Sequence, residues 1–140
     1  MNDNGGVPIG REFKAREALK VTEEIIAAFR AAMGESGPAQ RQDGKLIAPL
    51  SISGSIRAAE EIFEHLPKSE RRLLASMELQ YIEPIVAGDT ISVTSEVAEV
   101  YEKTGRSGKL NFTVIRSILR NQRGAIVTRI DHRFTSREGK

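Results

Sequence analysis

The spacing of apolar residues changes period along this chain. Between Leu46 and Leu66 it is helical: Ile52, Ile56, Ala59, Phe63 and Leu66 follow at intervals of four, three, four and three, with Arg57, Glu60, Glu61 and Glu64 opposite. Pro49 suits a first helical turn, where a missing N–H costs nothing, and Pro67 stops the pattern. One helix is predicted here. Its first half, built of Ala48, Ser51, Ser53, Gly54 and Ser55, is uncharged and deeply enclosed, and its second half emerges. A shorter helix is predicted upstream. Thr22 is its N-cap, Glu23 and Glu24 favour its dipole, Ile25, Ile26, Phe29 and Met33 form its apolar face, and Gly34 ends it.

From Met77 the period falls to two. Met77, Leu79 and Tyr81 alternate with Glu78 and Gln80 before a turn at EPIVAGD. Ile91, Val93 and Val97 share a parity that Val100 and Tyr101 break, which predicts a bulge. KTGRSG and RNQRG are turns. Between them Leu110, Phe112, Val114 and Ile118 are expected on one face; beyond them Ile126, Ile130, His132 and Phe134 share another. A short edge strand over 11–15 places Phe13 inward, Met1–Gly10 is expected to be a flexible N-terminus, and a turn of helix is expected over Ser69–Ala75. The fold class is α+β: an antiparallel meander curled around the long helix, in one domain over 11–140.

Composition narrows the function classes. In 140 residues there are no cysteines, so disulfides, thiolate metal sites and cysteine nucleophiles are excluded, and a cytoplasmic location is expected. The net charge is +2, and its Lys and Arg are interleaved with acids. Five Phe and two Tyr leave little for base stacking, so no nucleic-acid partner is expected. No apolar run approaches the roughly 18 residues of a membrane span, and no membrane partner is expected. Arg71, Arg72, Lys103, Arg106 and Lys109 read as scattered surface charge.

Two segments carry a family resemblance. LQYIEPIVAGDTISVTSEVAEV and NFTVIRSILRNQRGAIVTRIDHRFT, preceded by KLIAPLSIS, resemble the MaoC-like hot-dog hydratases and dehydratases. Within that family the chain looks most like the non-catalytic subunit, or N-terminal half, of (3R)-hydroxyacyl-thioester dehydratases. The resemblance covers about residues 12–136 and implies a hot-dog fold, a curved sheet wrapped around a long central helix. Catalytic members carry G-D-x-N-P-(I/L)-H after the first helix: the Asp holds a water and the His moves the proton. A backbone N–H within A-H-G, at the start of the central helix, polarises the thioester carbonyl. Here the same places read Gly34-Glu35-Ser36-Gly37-Pro38-Ala39-Gln40 and Ala48-Pro49-Leu50. Glu35 and Gln40 are thus degenerate catalytic positions, and no intact catalytic residue is expected.

The resemblance implies an acyl-binding role through Ile47, Pro49, Leu50, Ile52 and Ser53. It implies no cofactor of the chain's own, the substrate being carried on coenzyme A or acyl carrier protein. The implied partner is a catalytic MaoC-like subunit, or a second copy of the chain. Two other classes fit the scaffold: a thioesterase homodimer using Glu60 or Glu61, and a binding module without turnover. His132 reads as a packed residue of the last strand, His65 as a favourable charge near a helix end, and Gly88-Asp89 as turn chemistry.

Overall fold

The computed structural model describes residues 6–67, 72–106 and 108–137. Two short strands, β1 (Phe13–Lys14) and β2 (Leu19–Lys20), precede helix α1 (Glu23–Ala32). Thr22 caps α1 by accepting the Ile25 N–H at 3.1 Å, and Gly34 follows its end at φ 71°, as the cap residues demand. A two-stranded ribbon, β3 (Arg41–Gln42) and β4 (Lys45–Leu46), leads to helix α2 (Ser51–Gly54). Four long strands complete the chain: β5 (Arg72–Tyr81), β6 (Thr90–Gly105), β7 (Gly108–Arg120) and β8 (Ile126–Arg137). They pair antiparallel in the order β1-β6-β7-β8-β5, with β2 also on β6. No helix among the described residues is long and apolar enough to cross a membrane.

The central segment is not one helix. After the four residues of α2 the chain leaves helical geometry at Ile56–Ala59, then turns again as a 3-10 segment over Glu60–His65. The apolar stripe was real, but helix propensity does not place the break. Ser51–Gly54 is helical although poor helix-forming sequence, whereas Ile56–Ala59, with the good formers Arg57, Ala58 and Ala59, is not. The backbone freed at the break is recaptured by the sheet. Ser95 Oγ accepts the Ala59 N–H at 2.9 Å and exchanges a 2.7 Å hydrogen bond with Ser117, all three residues being buried. A hydroxyl on the sheet thus replaces the helical carbonyl that the break removed.

The core divides at the same place. Ile52 packs with Val21, Ile26, Ile91, Leu119 and Ile130 in one cluster. Ile62 packs with Phe13, Ala59, Val97 and Ile115 in another. Phe13 therefore points inward from β1, as its position suggested. Within the segment expected to be flexible, Val7 is buried and Gly10 donates to Val97 O at 3.0 Å, while Met1–Gly5 lie outside the described residues.

The strands differ from the sequence reading in two places. Ser69–Arg71 lie outside the described residues, but Arg72–Ala75 are strand, not helix: Arg72, Leu73 and Leu74 pair with β8, and Ala75 is the extra residue where the register slips before Ser76. On β7 the buried residues are Val114, as expected, and then Ile115, Ser117 and Leu119, so from Ile115 onward the buried parity is opposite to that of Ile118. The expected face would have carried Arg116, which shares the parity of Val114 and Ile118, inward with them; its pairing with Asp131 on β8 instead marks that parity as outer. The bulge is present where parity broke: pairing slips between Val97 and Glu99, leaving Ala98 extra. Asp89 serves the turn, accepting the Val86 N–H at 3.0 Å and Gln122 Nε2 at 3.0 Å.

Candidate functional site

The break in the central segment leaves a cavity on each side of α2. The smaller, about 300 Å³, lies at the start of α2. It gathers Gln40, Ile47, Pro49, Leu50 and Ser53 from the degenerate motif regions and closes them against Tyr81 and Thr128. Four of the five expected acyl-binding residues are brought together here. Ile52 is not among them; it faces the other way into the core with 1% exposure. Ser53 is buried and shares a 3.0 Å hydrogen bond with Thr128 Oγ1, which pins α2 to β8.

The titratable side chains on this cavity's wall are Tyr81 and Glu83. Gln40 stands on its wall with no proton to exchange near neutral pH. Glu35 is not in the wall; its carboxylate pairs with Arg30 at 3.8 Å. The acid that does line the cavity, Glu83, pairs with Arg123 at 3.8 Å. At the start of α2 two of the three residues aligned with A-H-G offer no free N–H. The Ala48 N–H is given to Ile85 O at 2.7 Å, and Pro49 has none. A four-residue helix also contributes little dipole.

The larger cavity, about 520 Å³, lies where the segment is non-helical. Ile56, Phe63, Leu74, Met77 and Phe134 give it apolar walls, and the ring of His132 completes one side. Phe63 and Phe134 meet edge to face at 5.7 Å between centroids, and His132 stacks on Phe134 at 6.1 Å. Burial holds the His132 imidazole below its ordinary titration range, with the nearby Asp131 carboxylate opposing that shift. Glu60 is on the wall as well. Backbone N–H donors, that of Arg16 foremost, hold its carboxyl below the usual range, which weakens it as a base. Glu61 pairs with His65 at 3.7 Å. This cavity was not legible in the sequence, because it exists only where the expected helix is absent. Propensity gave no signal of it, since Arg57-Ala58-Ala59 is good helix-forming sequence. Of the smaller cavity's further wall residues, Tyr81 was signalled by its inward parity with Met77 and Leu79, whereas Thr128 had no signal.

A curved antiparallel sheet wrapped about a buried axial segment, with cavities along that segment, defines the hot-dog fold. A family model described as FAS1-like, dehydratase domain region, matches residues 8–130, and the chain belongs to that family. Solved structures agree in fold. The R-hydratase PhaJ1 from Pseudomonas aeruginosa superposes with a TM-score of 0.71 at 20% identity, covering 97% of this chain and 86% of that one. A chain of the HadBC complex, a 3R-hydroxyacyl-ACP dehydratase from Mycobacterium tuberculosis, gives 0.70 at 18%, covering 91% and 96%. A chain of the ChsH1-ChsH2 complex from Mycobacterium tuberculosis gives 0.71 at 16%, covering 96% and 91%. At these identities the likeness is one of fold. No match was found among curated protein sequences.

Proposed function

We propose that this chain is the acyl-binding, non-catalytic subunit of a two-chain (3R)-hydroxyacyl-thioester dehydratase, or enoyl-thioester hydratase, in which a second hot-dog subunit supplies the acid and base. The observation that carries the reading is the wall of the smaller cavity. On this reading it is the place for a thioester-bound acyl group, and it presents Gln40 and Pro49 where catalytic members carry histidines. The substrate on this reading is an acyl group carried on coenzyme A or acyl carrier protein, and no cofactor is required. Two of the structural neighbours are complexes of two different chains, HadBC and ChsH1-ChsH2, which supports an assembly of this type. The outer edge of β5 supports it too. That strand ends the sheet, exposes Leu73 and Leu74, and contributes walls to both cavities, so a partner joined there would border the acyl site.

Loss of enoyl-CoA absorbance in the presence of purified chain tests the reading. Removing a general acid or base typically costs about 10²–10⁴ in rate, so the chain alone should be almost inactive. Mixed with a hot-dog subunit bearing the intact motif, it should raise turnover of long or bulky acyl groups. Glu35→Ala should change that activity little, and a bulky residue at Ser53 should shift the chain-length preference. Robust turnover by the chain alone, abolished by Glu35→Ala, would show instead that it holds its own active site.

A further inference from the structure

The larger cavity carries a polar group that the acyl-binding reading does not use. Four polar side chains line it: Ser55, Arg57, Glu60 and His132. The first three are exposed and remain hydrated at its rim. His132 is different. It is more than nine-tenths buried, with 7% exposure, and its Nδ1 is fully occluded with no hydrogen-bond partner among the described residues. It stands on β8 between Ile130 and Phe134, opposite Met77 of β5 and Ile115 of β7. Every one of these neighbours is apolar.

A neutral imidazole has one donor and one acceptor nitrogen, and burying either without a partner is unfavourable. A phenyl ring would fill the same apolar niche without that penalty. A half-turn of the ring keeps its shape and exchanges Nδ1 with Cδ2 and Nε2 with Cε1, so the occluded nitrogen can trade places with a ring carbon without repacking the niche. Apolar walls around a single buried polar group are the pattern of a ligand site: area supplies affinity and the polar group selects.

We propose that the larger cavity binds the distal part of an acyl group that carries an oxygen there, a hydroxyl or a carbonyl, and that His132 is the residue that selects it by hydrogen bonding. This rests on the acyl-binding reading for the identity of the ligand, but not for the selectivity itself. A hydroxyl can donate to or accept from the ring, whereas a carbonyl requires the ring N–H.

Small neutral probes separate the two questions, since they need neither thioester nor partner subunit. Cyclohexanol, cyclohexanone and methylcyclohexane are titrated into the full-length chain, with the imidazole nitrogen resonances of His132 followed by NMR. Cyclohexanol or cyclohexanone should bind roughly three- to tenfold more tightly than methylcyclohexane and should shift the His132 resonances. Preference for both oxygenated probes assigns the ring N–H as donor; preference for cyclohexanol alone assigns the bare nitrogen as acceptor. His132→Phe should abolish the preference while leaving methylcyclohexane binding in place, and His132→Leu serves the same comparison if the phenyl variant does not fold. Equal affinities in the wild type, a preference that survives either substitution, or no binding of any probe overturns the proposal. The hydratase assay with the partner subunit judges the acyl-subunit reading separately, so each can fail without the other.

Discussion

Single residues decide more here than their side chains suggest. Ser95 is the clearest case, since one buried hydroxyl accepts the Ala59 N–H and bonds Ser117. Ser95→Ala leaves that backbone donor buried without a partner, and the expected cost is about 1–3 kcal/mol, read as a lower urea midpoint. An unchanged midpoint would mean that the hydroxyl does not hold the break. His132 should also leave a signature in the pH dependence of stability. Its folded titration lies below that of an unfolded imidazole, near 6.5, because burial disfavours the charged ring. Below about pH 6.5 the unfolded chain therefore takes up a proton that the folded chain refuses. This contribution to stability is complete above that pH and is lost as the pH falls toward the folded value. Between pH 7.5 and 5 the wild type should lose more stability than His132→Phe, the other groups being common to both. Parallel losses in the two proteins would contradict the buried neutral ring.

At the scale of elements, the central segment is where period and structure part. Ile52 and Ile56 lie on one stripe of a continuous helix and would then be equally costly to truncate. In the structure Ile52 is sealed in the core, whereas Ile56 borders a cavity and is half-buried. Ile52→Ala should cost about 2–5 kcal/mol and Ile56→Ala well under half of that. Equal losses by chemical denaturation would restore the continuous helix. Elsewhere the elements were legible because local chemistry and tertiary demand agreed. Thr22 capped α1 as expected, and the parity break after Val97 marked a real bulge. The face of β7 was misread for a physical reason. Val114, Ile115, Ile118 and Leu119 put apolar residues on both parities, and only the pairing of Arg116 with Asp131 shows which side is outward.

At the scale of the whole molecule, β5 ends the sheet with an apolar edge. Leu73 and Leu74 on this strand are 60% and 49% exposed, and Tyr81 at its end and Ile82 beyond it extend the surface. Proteins cover such edges, and a second hot-dog chain is the expected cover. Leu73→Lys should therefore shift the chain, or its complex, toward monomer in light scattering, with little loss of secondary structure. A wild-type chain that is monomeric at micromolar concentration, alone and with its partner, would rule this edge out as the interface.

The sequence by itself determined the class of fold, the capped first helix, most strand positions and the absence of histidine from the two motif positions. The first three follow from neighbours along the chain, through caps, turn residues and period; the last follows from the resemblance to the family that the motifs carry. What only the tertiary structure decided is where the central segment breaks, how its freed backbone is satisfied, and that two cavities flank α2. Ser95 lies 36 residues from Ala59, and Thr128 lies 75 from Ser53. No local pattern reports that these groups meet, because the hydrogen bonds that make the break tolerable form only when the sheet closes over it.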